Sequence, residues 1–125
     1  MNTPDYVYRV KAIEKVTDGD TYWLHLDVGF RQSQLTHLRL NGWDCPEMNR
    51  GTTFEKAEAI RARDVAADFL WDDSEIWCRT YKDPDNFGRW LCDLWTDFID
   101  LGTYLSNEDL ATRWPTRWRD TYDTQ

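Results

Sequence analysis

Two β-type runs meet at Asp18-Gly19, and this junction constrains the fold more than any other stretch. Upstream, Tyr6 to Val16 is rich in Val, Ile and Tyr. Downstream, Thr21 to Val28 alternates. Tyr22, Leu24, Leu26 and Val28 fall on one face, and Trp23, His25 and Asp27 on the other. A period of two marks a half-buried strand. Asp-Gly between two such runs is a strong hairpin signal. Gln34 to Leu40 reads as a third strand, on which Leu38 and Leu40 share a face and Arg39 points the other way.

A helix follows. Thr52, with Glu55 three residues on, reads as a capping box. Ala62, Val65, Ala66, Phe69 and Leu70 recur at helical spacing, and the run ends near Trp71. Ser74 to Lys82 and Arg89 to Trp95 read as strands around the turn Asp83-Pro84-Asp85-Asn86-Phe87-Gly88. A last helix is expected from about Asp100 to Ala111, with Leu101, Tyr104, Leu105 and Leu110 as its apolar members. This order predicts an α+β, mainly β chain. It suits a five-stranded OB-fold barrel with a helix between strands three and four and a C-terminal helix.

The 125 residues predict a single domain, 1–125, with a core over about 6–111 and a tail over 112–125. An apolar fraction of 41% and eight Trp exclude a disordered composition. No apolar run approaches the length of a membrane span, so no membrane partner is expected. Met1 to Tyr6 lacks the charged-then-apolar pattern of a signal peptide. Cys45, Cys78 and Cys92 are odd in number and scattered, which fits reduced thiols; no C-x-x-C suggests zinc. Together these predict a cytoplasmic protein, and a monomer is expected.

The net charge of −8 argues against a passive nucleic-acid binder, which usually carries a basic footprint. An enzyme that recruits a divalent cation tolerates acidity, because the ion supplies local positive charge. From Asp64 to Asp100 there are ten acidic residues against Arg79, Lys82 and Arg89. Arg113, Arg117 and Arg119 lie close to Trp114 and Trp118, which would suit either nucleic-acid contact or an amphipathic end packed on the domain.

Several residues could carry chemistry. Asp20 sits just past the hairpin turn, and Asp44 follows Gly42 and is stiffened by Pro46. Calcium and magnesium want oxygen ligands, carboxylates first, and a main-chain carbonyl such as that of Cys45 would add a third. Two carboxylates fit Ca²⁺, Mg²⁺ or Mn²⁺. Arg39 and Arg89 each offer a planar fork that fits two phosphate oxygens. Glu47, three residues past Asp44, would orient or deprotonate a water. Taken singly, each residue reads as easily as a turn, a surface ion pair or a solvated loop carboxylate. His25 and His37 read as structural or surface residues. The absence of G-x-S-x-G, Walker and H-E-x-x-H patterns lowers the standing of those enzyme classes.

The combination resembles the staphylococcal (thermonuclease-type) nuclease family, in particular its short, phage-like members. The resemblance spans about Tyr8 to Ala111. Its carriers are Val16-Thr17-Asp18-Gly19-Asp20-Thr21, then Leu38-Arg39-Leu40-Asn41-Gly42-Trp43-Asp44-Cys45-Pro46-Glu47, then Phe87-Gly88-Arg89-Trp90-Leu91. Tyr104-Leu105 and Leu110-Ala111 resemble the family's last helix. The resemblance implies an OB-fold endonuclease that binds Ca²⁺ and hydrolyses DNA or RNA. Asp20 and Asp44 would be its metal carboxylates, with the Cys45 carbonyl beside them. Arg39 and Arg89 would clamp the phosphate, and Glu47 would serve the attacking water. Two departures stand out: Cys45 replaces the usual Thr, and Asp109 stands where the family tends to have Gly. Trp43, Trp114 or Trp118 could stack a base.

Two other classes compete with a nuclease. One is an OB-fold nucleic-acid-binding module with an idle site. The other is a protein-interaction domain that turns its acidic face, Asp64 to Asp100, toward a basic partner.

Overall fold

The computed structural model describes residues 6–48, 51–72 and 74–113. Its strands are β1 (Val7–Asp18), β2 (Thr21–Gly29), β3 (Gln32–Leu40), β4 (Trp43–Asp44), β5 (Trp77–Pro84), β6 (Trp90–Trp95) and β7 (Thr112–Arg113). Helix α1 (Thr53–Trp71) follows β4, and α2 (Leu101–Asn107) follows β6. Strands β1, β2, β3, β6 and β5 close in that order into a barrel. This is the expected mainly β, OB-like architecture with two helices. The short β4–β7 pair is an addition that two-residue strands do not announce in a sequence.

The β1–β2 turn is where the Asp-Gly signal places it, with Asp18 opposite Thr21. The reason for the glycine is different. Gly19 lies outside the left-handed region. A Cβ there would stand 2.9 Å from both the Ala62 Cβ and the Cys45 Sγ. Close approach to α1 and to the Cys45 segment therefore demands the glycine. Register shifts along β1 at Val10/Ala12, Ile13/Lys15 and Val16/Asp18 are bulges, which add the curvature that barrel closure needs.

Tyr22, Leu24 and Leu26 of β2 are buried with Leu38 and Leu40 of β3 and Cys78, Cys92 and Leu94 of β5 and β6. Val28 lies past the closed part of the barrel and is exposed. Helix α1 seals the core with Ala62, Ala66, Phe69 and Leu70, and Thr52 caps it by accepting the Glu55 N–H at 3.3 Å. The three cysteines are free and buried.

Helix α2 is shorter than the apolar spacing suggests, because Asp109 adopts φ of 60° and ends it. The Leu110 N–H reaches the Leu105 carbonyl at 2.9 Å and the Asp109 N–H reaches Ser106 at 3.0 Å. That pair of bonds is a Schellman motif, with Leu105 and Leu110 both buried beneath it. No helix among the described residues is long and apolar enough to cross a membrane.

Candidate phosphate and metal site

Strand pairing assembles the site. Thr21 of β2 lies opposite Arg39 of β3, and the Leu40 N–H donates to the Asp20 carbonyl at 2.9 Å. Strand β6 runs parallel to β3, with Trp90 beside Leu38 and Leu91 beside Arg39. Asp20, Arg39 and Arg89 thus reach one end of three adjacent strands. A polar cavity of about 370 Å³ opens there, lined by Asp18, Asp20, Thr21, Arg39, Glu47, Phe87 and Arg89.

Arg39 points away from Leu38 and Leu40, as the alternation predicts. It is nonetheless buried, at 9% exposure, because the β4 segment folds over it. Its Nη1 donates to the Leu40 carbonyl at 2.8 Å and the Trp43 carbonyl at 2.6 Å. Its Nη2 bonds the Asp44 carboxylate, and Nη1 stands 3.5 Å from Asp20 Oδ2. Burial works against the guanidinium charge, but Asp20 and Asp44 more than offset it and raise the proton affinity of Arg39. The fork is therefore fixed in one orientation before any phosphate arrives.

Asp20 is almost fully buried. Its Oδ2 accepts the Cys45 N–H at 2.8 Å and its Oδ1 accepts the Thr21 hydroxyl at 3.0 Å. Burial raises its proton affinity, outweighing Arg39 and the Cys45 N–H; the Asp18 and Asp44 charges act in the same direction as burial. Asp18 accepts the Met48 N–H at 3.1 Å and so ties the Glu47 segment to the hairpin. Burial also raises the proton affinity of Asp18, with the nearby Glu47 charge adding to it. Glu47 itself is half-buried on the cavity wall.

Arg89 is positioned by its own turn. Asp85 Oδ1 accepts the N–H groups of Phe87 and Arg89, both at 2.9 Å, and its Oδ2 accepts Arg89 Nε at 2.9 Å. Burial opposes the Asp85 charge, but these N–H donors and the Arg89 cation outweigh it and hold its carboxyl below the usual range. The Arg89 guanidinium also sits 5.2 Å from the centre of the Phe87 ring.

Asp44 Oδ2 is buried without a hydrogen-bond partner among the described residues. An orphaned buried carboxylate oxygen is costly, and a hard cation is one group that would satisfy it. Asp20 and Asp44 both contact the same guanidinium, so their oxygens share one locale. The donor chemistry fits Ca²⁺ or Mg²⁺ with two protein carboxylates, the remaining positions falling to water and substrate oxygens. No group of three or more His, Cys, Asp or Glu side chains converges on a metal position among the described residues.

The aromatic assignments fare unevenly. Trp43 does not line this cavity. Its ring lies under the Arg113 guanidinium at 4.1 Å and against Gly102, where a Cβ would meet its Nε1 at 2.0 Å. Trp114, Trp118, Arg117 and Arg119 lie outside the described residues. Asp18 and Phe87 line the cavity although sequence reasoning gave them no role. The Asp-x-Asp spacing at Asp18 and Asp20, and the aromatic just before Gly88-Arg89, were the available signals. Compared with known proteins, the chain matches no family model and no curated protein.

Proposed function

We propose that this protein is a metal-dependent phosphodiesterase that hydrolyses DNA or RNA in the manner of a thermonuclease-like endonuclease. One observation carries the reading. Asp20, Arg39, Glu47 and Arg89, drawn from widely separated points of the chain, converge on a single polar cavity, with Asp44 bonded to the same Arg39. Metal-assisted hydrolysis of a phosphodiester can use this set: anionic oxygens for a cation, forks for phosphate oxygens, and a carboxylate for water.

A divalent cation held by Asp20 and Asp44, with the Cys45 carbonyl beside them, would polarise a phosphoryl oxygen and lower the pKa of water. The chain's own residues do the rest. Arg39, from β3, and Arg89, from the turn before β6, bind the phosphate and meet the charge that builds on its equatorial oxygens. Preorganised donors of this kind are worth roughly 3 to 4 kcal/mol each in the transition state. Glu47 takes or orients the proton of the attacking water, a role worth roughly 10²- to 10⁴-fold.

The competing reading is a nucleic-acid-binding module with an idle site. It is favoured by the way Arg39 already neutralises Asp20 and Asp44. One assay separates the two. Wild type and Glu47→Gln are incubated with labelled single- and double-stranded DNA and RNA in Ca²⁺, Mg²⁺ or EDTA. The nuclease reading expects cleavage by wild type that needs a divalent cation and falls at least about 10²-fold in Glu47→Gln. Binding without cleavage under every condition would leave the module.

A further inference from the structure

A second cleft among the described residues lies beside the phosphate site, not in it. Strand β3 pairs with β6 only over Leu38 to Leu40. Below Leu38 the two sides diverge, and a cleft of about 450 Å³ opens between β3 and the β5–β6 side, with Tyr8 and Trp23 also on its wall. Its volume lies within the roughly 300–1,000 Å³ of small-molecule pockets.

We infer that this cleft is a subsite for an unpaired nucleobase of a single-stranded nucleic acid whose phosphate is held by Arg39 and Arg89. The inference rests on the phosphodiesterase reading for what occupies the neighbouring cavity. Three observations carry it.

The first is the aromatic wall. Trp23 and His37 face each other across the β2–β3 pair and stack, with ring centroids 4.2 Å apart and planes 7° from parallel. Tyr8, Tyr81 and Trp90 add to the lining. A base adds to such a stack through its π-face, whatever its identity.

The second is charge. The chain carries a net −8, yet the lining holds Lys82 and no carboxylate. Four other cavities on the described surface each include at least one Asp. Among these five cavities, this one meets a polyanion with the fewest lining carboxylates.

The third is continuity. Gly88 lines the cleft, while its neighbours Phe87 and Arg89 line the phosphate cavity. Burial depresses the proton affinity of His37, and the Arg89 cation depresses it further, so the two sites lie within reach of one another's charge. The floor includes Leu26, Thr36 and Thr80, all buried. A base must leave its duplex to reach that depth, which selects single strands.

The test uses a fluorescent 12-nucleotide single strand, binding measured by anisotropy in Ca²⁺ with the Glu47→Gln protein. Adding Trp23→Ala weakens binding about tenfold, the loss expected for one stacked base. Adding His37→Ala does the same, and melting curves confirm that both variants stay folded. In the Glu47-intact background, Trp23→Ala slows cleavage of the single strand at sub-saturating concentration about tenfold more than it slows turnover of methyl 4-nitrophenyl phosphate, a phosphodiester with no nucleobase to fill the cleft. Unchanged oligonucleotide affinity in both folded variants overturns the cleft assignment and leaves the nuclease reading standing. No turnover by any protein, with cleft-dependent binding intact, overturns the nuclease reading and leaves the cleft. Equal affinity for a blunt duplex, or preference for an aromatic-rich peptide over the oligonucleotide, also overturns the cleft assignment.

Discussion

Asp20 Oδ2 accepts the backbone N–H of Cys45 at 2.8 Å, so a side chain from the first hairpin holds the segment that carries Asp44 and Glu47. The bond joins residues far apart in sequence and places both carboxylates of the candidate metal site in one rigid unit. It also separates two roles of Asp20. Asp20→Asn keeps an acceptor for Cys45 but removes the negative charge. Asp20→Ala leaves the buried N–H unpaired, at a cost of about 1–3 kcal/mol. We expect Asp20→Asn to fold and Asp20→Ala to melt measurably lower. Saturating Ca²⁺ raises the melting temperature of wild type, by mass action worth about 2.7 kcal/mol at a hundred times the dissociation constant. Asp20→Asn loses most of that response, and a full response would remove Asp20 from the metal site.

Arg39→Lys is the second prediction. Arg39 spreads its two terminal nitrogens over the Leu40 and Trp43 carbonyls, Asp44 and Asp20. Lysine has one nitrogen and no fork, so it cannot span these partners and also present two donors to a phosphate. Nuclease activity should fall about 10²- to 10³-fold, nearly as far as in Arg39→Ala. Near-normal activity in a steady-state assay of Arg39→Lys would count heavily against the clamp.

Much of this arrangement is legible in the sequence, for physical reasons that differ from part to part. The period of two in Thr21 to Val28 and the Thr52–Glu55 cap are local signals, and both elements form where those signals lie. The convergence of Asp20, Arg39 and Arg89 is not local. It depends on the parallel β3–β6 pairing, which no single stretch encodes, and only the combined motif pointed to it. The sequence leaves Arg39 readable as either a surface or a site residue, because its burial depends on the later β4 segment. The cleft beside Trp23 and His37 was invisible, because it exists only where two strands stop pairing.

His37 offers a pH test of the adjacency between cleft and phosphate site. Burial first, and then the Arg89 cation, hold its folded pKa below the usual histidine value of 6.5, with the Asp85 charge opposing them. The sign follows from that depression. The neutral ring is favoured by folding, so its contribution to stability is present above pH 6.5. It is lost as pH falls from 6.5 through the lower folded value. Proton NMR of the two histidine rings should show His37 titrating below 6.5 and moving upward in Arg89→Ala. A His37 titration unaffected by Arg89→Ala would mean the two sites do not feel each other.

Gly19→Ala tests why the hairpin glycine is needed. If a left-handed turn were the reason, alanine would add only backbone strain. Because the new methyl would meet Ala62 and Cys45 at 2.9 Å, α1 and the Asp44–Glu47 segment must shift instead. We expect a loss of about 1–3 kcal/mol in denaturant unfolding. We also expect activity to fall more than folded fraction alone explains, since the displaced segment carries Glu47. The smaller partner change Ala62→Gly, made in the Gly19→Ala background, should recover part of the lost stability.

Asp109→Gly should make the protein more stable. Asp109 closes α2 in the left-handed conformation, φ 60°, where an L side chain crowds the following carbonyl. Asp tolerates this region better than most residues but less well than Gly, which is why Gly dominates this position of a Schellman motif. The Asp109 side chain is exposed, so its removal empties no part of the core. The two backbone bonds, Leu110 to Leu105 and Asp109 to Ser106, need only the backbone conformation and are kept. Against this stands the greater freedom that glycine gives the unfolded chain. Relief of left-handed strain outweighs it, and a gain of about 0.5–1 kcal/mol is expected. Asp109→Ala is the control: it loses Asp's tolerance of the region without gaining glycine's freedom, and should be less stable than wild type. Urea unfolding of the three proteins in EDTA would rank them Gly, then Asp, then Ala; any order with Ala above Gly would show that α2 does not end by this motif.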